Sequence, residues 1–341
     1  MKWIVTGGMG FIGSAMCEYL HRTTIDEILV IDALTYAANT KNLAGLLDDS
    51  RVTFIHSDMM DVISLEKLIN DFQPNVIMHF AAESHVDNSI SSPAPIVRNN
   101  ILSTLNLLEA FRKYVQRLAA GEYHECRLHH ISTDEVFGDL GNVREKFCEN
   151  SQYNPSSPYS ASKASCDHLV KAWYRTYGLP IVISNCSNNY GPRQLPEKLI
   201  PVTINKILQG QSIPIYGDGK QIRDWLFVED HVNALYKIAK MGRVGESYTV
   251  GGNCELSNLE LIDIICNIMD DKLINKKLGL SSCKVLKSFV SDRPGHDRRY
   301  AVNSAKVSKE LNWNPEMSIK RGLEQTVQWY IENPSYWGTI C

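Results

Sequence analysis

The chain has 341 residues, enough for one large α/β unit or two domains around sizeable cores. Its 35 basic and 38 acidic side chains leave a formal net charge of −3, which excludes a strong general pull toward nucleic acid or anionic membrane. The nine cysteines include no Cys-x-x-Cys pair, so zinc ribbons and a disulfide framework are not expected, and a reducing cytosol is. The opening apolar run at 1–5 is too short for a signal peptide. No apolar stretch reaches membrane-spanning length. The expectation is a cytoplasmic protein without membrane or nucleic-acid partners.

Short apolar runs alternate with helical-period segments through the first half of the chain. Strands are predicted at 3–6, 28–31, 52–55, 76–79, 127–131 and 181–184. Helices are predicted between them at about 11–22, 64–72, 96–115 and 160–177. This order requires right-handed crossovers and a mostly parallel sheet covered on both faces. After Asn188 the pattern becomes irregular, with Gly, Pro and Asn clustered at 188–192 and 216–219. The predicted architecture is α/β: a doubly wound, Rossmann-type parallel sheet with a smaller α/β substrate-binding lobe. The sheet domain takes 1–187, with 222–250 returning to it, and the segment 224–241 is expected to rejoin the main sheet. The lobe takes 188–221 and 251–335.

The first predicted strand runs into Gly7-x-x-Gly10-x-x-Gly13 and then a helix. Glycines there permit a tight turn and a close approach of backbone to a pyrophosphate, whose charge faces the helix N-terminus. Asp32 ends the second strand, where an acid can bind the adenosine ribose hydroxyls. Its carboxylate would repel a 2′-phosphate, so NAD is expected rather than NADP.

Three tyrosines have a lysine four residues later: Tyr159/Lys163, Tyr216/Lys220 and Tyr236/Lys240. The second pair spans two glycines and reads as a turn. The third sits on an amphipathic helix and reads as a surface pair. Tyr159 begins a helix after a Pro/Ser-rich stretch, and its spacing puts ring and ammonium on one side. A phenol has a pKa near ~10. Lys163 beside it and the positive nicotinamide are expected to lower that value, making Tyr159 a base that removes a hydroxyl proton as hydride leaves the same carbon.

Upstream, the fifth predicted strand ends in Ile131-Ser132-Thr133-Asp134-Glu135. Thr133 is the hydroxyl that shares a substrate oxygen with Tyr159. Two carboxylates in one dry site push their pKa values apart, so one stays protonated while the other ionises. Glu135 is assigned as the base at C5 of a hexose oxidised at C4, and Asp134 as the acid for the C6 hydroxyl. Adjacent strand residues point to opposite faces, so both reach one sugar only if the chain bends. No ligand set of suitable spacing suggests a metal, and His129 and His130 read as structural.

With these residues in place, the chain resembles the dTDP-glucose 4,6-dehydratases, a family of extended short-chain dehydrogenases/reductases. The resemblance runs from about residue 2 to 330 and is most specific at 79–87, 129–139, 158–165, 185–192, 196–201, 223–231 and 292–300. It implies that Phe11, Ile12, Asp32, Asp58, Met59, Ala81, Asn99 and Asn189 line the NAD site, with Tyr159 and Lys163 at its ribose. It also implies that Ser84, Thr133, Asn188, Lys198, Leu199, Arg223, Asn258, Asp292, Arg293 and His296 hold a sugar nucleotide. The basic members suit a diphosphate.

The family forms homodimers, for which Leu102, Leu105, Leu108 and Phe111 offer an apolar face; core packing explains the same pattern. Phe137 stands where a tyrosine is common, Asn88 where an arginine is common, and the 139–156 segment is short. The implied activity converts dTDP-glucose to dTDP-4-keto-6-deoxyglucose. UDP-glucose as substrate, and a 4-epimerase or uronate decarboxylase of the same fold, are the alternatives. Neither of the last two needs the acid pair.

Overall fold

The computed structural model describes residues 1–118 and 126–339. The first half alternates β1 (Lys2–Thr6), α1 (Phe11–Thr23), β2 (Glu27–Asp32), β3 (Val52–His56), α2 (Val62–Phe72), β4 (Val76–His79), α3 (Val86–Ser91), α4 (Pro93–Val115), β5 (Arg127–Thr133), α5 (Pro158–Tyr177) and β6 (Ile181–Cys186). All six strands predicted from apolar runs are present, each within two residues at either end. The long helices begin earlier than their apolar periodicity indicates. Pro93 and Pro158 occupy their first turns, where a missing N–H costs nothing. Ser157 and Ser160 close a capping box on α5.

The main sheet has seven parallel strands in the order β10-β6-β5-β4-β1-β2-β3, with Ser247–Val250 as β10. Side chains alternate between two cores. Ile4, Ile31, Ile77 and Ile183 face α2, α4 and α5, whereas Trp3, Val5, Val30 and Met78 face α1 and the later helix α7 (Val228–Met241). Chain direction across the sheet reverses between β1 and β4. At such a switch point the carboxyl ends of the strands leave a crevice. Thr6 and His79 close its floor, with Oγ1 and Nδ1 2.8 Å apart.

The second half adds β7 (Asn188–Tyr190), α6 (Leu199–Leu208), β8 (Ile213–Tyr216), β9 (Ile222–Phe227), α7 (Val228–Met241), β10 (Ser247–Val250), β11 (Glu255–Ser257), α8 (Asn258–Asp271), α9 (Ile274–Lys277), β12 (Lys287–Val290), α10 (Ala305–Leu311) and α11 (Ile319–Glu332). The return to the main sheet differs from the expectation for 222–250. β6 is already flanked by β5 and β10, so β9 instead joins a separate three-stranded sheet, β11-β9-β7. Residues 228–241 then cover the main sheet as α7, and 247–250 add its seventh strand. Helices α6, α8 and α11 enclose the lobe's own core around Ile204, Leu261, Ile265 and Val327.

Leu108 and Phe111 are fully buried beneath α4, against the sheet, and so face the core. Leu102 and Leu105 are half-buried. Leu108→Ala should therefore lower unfolding stability by ~2–5 kcal/mol. Denaturant titrations should give that loss equally at low and high protein concentration. A loss that varies with concentration would put Leu108 at an interface between copies.

Candidate active site

Gly7 turns out of β1 with φ +70°, and a Cβ there would lie 2.7 Å from the Ala81 nitrogen. A Cβ on Gly13 would lie 2.2 Å from the Gly7 carbonyl oxygen. These two contacts let the first turn of α1 press against the ends of β1 and β4. The N–H groups of Phe11, Ile12 and Gly13 are then without intrahelical acceptors and open into the crevice. Gly10 caps the helix with no side chain in the way.

Asp32, at the end of β2, accepts the Met9 and Leu34 amides at 2.9 and 2.8 Å. Burial pushes its carboxyl above the usual range, and these amides oppose the shift. Asp58 and Met59 after β3, Ala81 after β4, Asn99 on α4 and Asn189 on β7 join the same cleft of about 350 Å³. Buried Oδ1 atoms of Asn188 and Asn189 have no hydrogen-bond partner among the described residues. Unsatisfied polar atoms beside a bare helix N-terminus and a ribose-facing acid fit a dinucleotide.

The bend required of the acid pair is present. β5 ends at Thr133, and Asp134–Phe137 form a 3₁₀ turn. The Thr133 hydroxyl caps it, accepting the Glu135 amide at 3.2 Å and donating to Asp134 Oδ1 at 3.4 Å. Both carboxyls line the cleft. Asp134 is 1% exposed and its Oδ2 has no partner among the described residues. Burial, and then the neighbouring Glu135, hold its carboxyl well above the usual range. Burial raises Glu135 too, but Arg293, Arg223 and Lys198 oppose that shift. Both carboxyls are therefore raised, Asp134 more strongly than Glu135.

Tyr159 and Lys163 line the same cleft from the first two turns of α5. Lys163 Nζ donates to the Ile131 carbonyl at 2.9 Å, which fixes it under the end of β5. Lys163 alone does not lower the Tyr159 pKa in the free protein. Burial, followed by the Glu135 carboxylate, pushes the phenol well above its ordinary value, so in the free protein it is neutral. His129 and His130 are buried, the first against Ser184 Oγ at 2.9 Å and the second 3.2 Å from Asp167.

Ser84, Thr133, Asn188 and Lys198 also line the cleft. Lys198 Nζ donates to the Ser84 carbonyl at 2.9 Å. The other residues implied for the sugar nucleotide stand outside its lining. Leu199 packs on the lobe core, and the Asn258 amide donates to the Gln221 carbonyl. Asp292 holds His296 at 2.6 Å, and Arg293 pairs with Asp87 at 3.2 Å. Arg223 lies over the Tyr300 ring at 4.4 Å and donates to the Asp297 carbonyl at 3.0 Å. Arg298 and Arg299 pair with Asp218 and Glu255.

Sequence reasoning missed Tyr36, whose hydroxyl accepts the Ser84 amide at 3.2 Å, and the cleft residues Cys186 and Gln194. It also missed Asp224, pushed up to about 6 by burial, which adds negative charge behind Asp134.

A parallel sheet with this glycine loop, and a Tyr/Lys pair one helical turn apart at the strand ends, define an extended short-chain dehydrogenase/reductase. The family model described as GDP-mannose 4,6 dehydratase matches residues 4–326, and the chain belongs to that family. The dTDP-glucose 4,6-dehydratase of Neisseria meningitidis serogroup B is 49% identical over 99% of this chain and 96% of its own length. That of Haemophilus influenzae is 50% identical over 98% and 99%. The dTDP-glucose 4,6-dehydratase of Streptomyces venezuelae, solved with NAD bound, superposes with a TM-score of 0.89 at 38% identity, covering both chains completely.

Burial keeps Asp134 protonated in the folded chain above its ordinary value of 3.8. The folded protein thus binds a proton that the unfolded chain releases, and stability falls as pH rises through the window above 3.8. Asp134→Asn cannot ionise and removes that loss. Its melting temperature should gain on wild type progressively as pH rises above about 4. A difference constant with pH would contradict a desolvated Asp134.

Proposed function

We propose that the chain is an NAD-dependent lyase that converts dTDP-glucose to dTDP-4-keto-6-deoxyglucose. The observation that carries this reading is the turn at 134–137, which puts an acid and a carboxylate in the same cleft as Tyr159 and Lys163. An oxidoreductase acting at C4 alone has no use for that pair.

Tyr159 accepts the proton of the sugar 4-hydroxyl, with Thr133 sharing the same oxygen. When bound, NAD would supply the hydride acceptor for C4 and, once reduced, the donor for C6, and its positive ring charge would oppose the effect of Glu135 on the phenol. The C4 carbonyl acidifies the C5 proton, which Glu135 removes. The C6–O bond then breaks, and Asp134 gives its proton to the departing hydroxyl, releasing water. Once C6 is reduced, Glu135 returns a proton to C5 and Asp134 recovers the one left on Tyr159. Lys163 has one proton engaged at Ile131 and the others free for groups in the cleft. Lys198, Arg223 and Arg293 give the lobe side of the cleft the positive charge that a diphosphate requires.

The same reading assigns residues 1–187 and the returning 228–250 to the cofactor, and the rest of the second half to the sugar nucleotide. It includes a homodimer through α4 and a cytoplasmic setting. Among the described residues, no helix is long and apolar enough to cross a membrane. The nucleobase preference is thymine over uracil, in keeping with the relatives' substrate; one methyl group separates the two by only ~1–3 kcal/mol.

Asp134→Asn combined with Glu135→Gln should cut product formation by ~10²–10⁴-fold, the usual contribution of a positioned acid or base. Oxidation at C4 should survive, so reduced nicotinamide accumulates on the protein when dTDP-glucose is added, visible in its absorbance. Undiminished release of 4-keto-6-deoxy product by this variant would refute the assignment.

A further inference from the structure

We propose that Tyr336, supported by Tyr330, is a positioning residue that ties together the two loops flanking the dinucleotide and slows its release. The inference rests on the NAD reading above. One loop follows β2, and Thr35, Ala37 and Ala38 bring it to the cleft. The other follows β7, with Gln194 and Leu195 on the cleft wall. They belong to different layers, the first to the main sheet and the second to the lobe.

The chain returns between them 143 residues later. Tyr336 is 4% exposed, and its hydroxyl donates to the Arg193 carbonyl at 2.6 Å. The side chains of Asn42 and Asn39 reach the same hydroxyl from the first loop. The Tyr330 hydroxyl donates to the next carbonyl, that of Gln194. One phenol oxygen therefore bridges the two walls.

Both arms lead on to cofactor-facing groups. On one side, the Asn39 amide and Asn42 Nδ2 donate to the Met9 carbonyl at 3.0 and 2.9 Å, and the Met9 amide donates to Asp32 at 2.9 Å. On the other, Gln194 Nε2 donates to the Asn189 carbonyl at 2.8 Å. Parting the loops to let a dinucleotide out breaks the bonds at Tyr336. A reaction that restores its own oxidant at every turnover gains from such retention, because it never needs to exchange the cofactor.

The test is Tyr336→Phe in the full-length protein. The ring keeps its T-shaped packing on Trp329, 4.9 Å between centroids, so the aromatic cluster stays filled. Bound NAD is followed after dilution of the purified holoprotein. Tyr248→Phe serves as a control, since it loses hydroxyl bonds to Arg243 and Glu310 away from the cleft. The latch predicts NAD release roughly tenfold faster in Tyr336→Phe, as expected for one or two lost hydrogen bonds, with control release unchanged. It also predicts that added NAD restores the turnover lost on dilution. Release equal to wild type, or equally fast from the control, overturns the latch. Wild-type protein that binds no NAD overturns both the latch and the reading beneath it.

Discussion

The site depends on where the chain leaves β5. A strand that continued past Thr133 would aim Asp134 and Glu135 at opposite faces of the sheet. The Thr133 hydroxyl instead accepts the Glu135 amide and starts a 3₁₀ turn, which brings both carboxyls to one side. The same turn buries Asp134 beside a second carboxylate, and burial keeps it protonated. Geometry and protonation therefore share one cause. A short cap at the end of a buried strand makes a carboxyl reachable and also denies it water.

Everything else in the cleft is arranged around that corner. The reversal of strand order between β4 and β1 opens the crevice that receives the glycine loop. Lys163 is fastened to the Ile131 carbonyl just before the corner and the acid pair to Thr133 at it, so both are anchored to the end of β5. The lobe adds opposing charge. Burial raises both carboxyls; Arg293, Arg223 and Lys198 oppose the shift at Glu135, while Glu135 and Asp224 add to it at Asp134. After burial, which raises both, the remaining field is mainly anionic at Asp134 and mainly cationic at Glu135.

Much of this was legible in the residues. The inner strands announced themselves because parallel strands covered on both faces are nearly continuous apolar runs, as in Ile28-Leu-Val-Ile31, and only the edge strand β3 mixes exposed residues into its run. The glycine loop and Asp32 were readable because backbone geometry restricts which residues fit. The second half was harder. β9 has no sequence mark that distinguishes a main-sheet strand from one in a small satellite sheet, and the pairing is set by whichever edges are free. The Ser257/Glu260 capping box marks the start of α8.

The site was legible as a set of residues and less so as a balance of charges. The phenol of Tyr159 was expected to fall in pKa beside Lys163. Spacing shows that neighbour but not the depth of burial or the nearby Glu135, and these raise it instead. Tyr36 and Tyr336 left no signal, since each acts through a contact more than forty residues distant.

The central claim is that oxidation, elimination and reduction occur on one sugar in one cleft without exchange of the nicotinamide. It is tested most directly by converting a mixture of C4-deuterated and unlabelled dTDP-glucose, with no added NADH, and locating the label in the product. The account predicts deuterium at C6 of the molecules that carried it at C4, and none passed between molecules. Deuterium lost to water or scattered onto products from unlabelled sugar would contradict it.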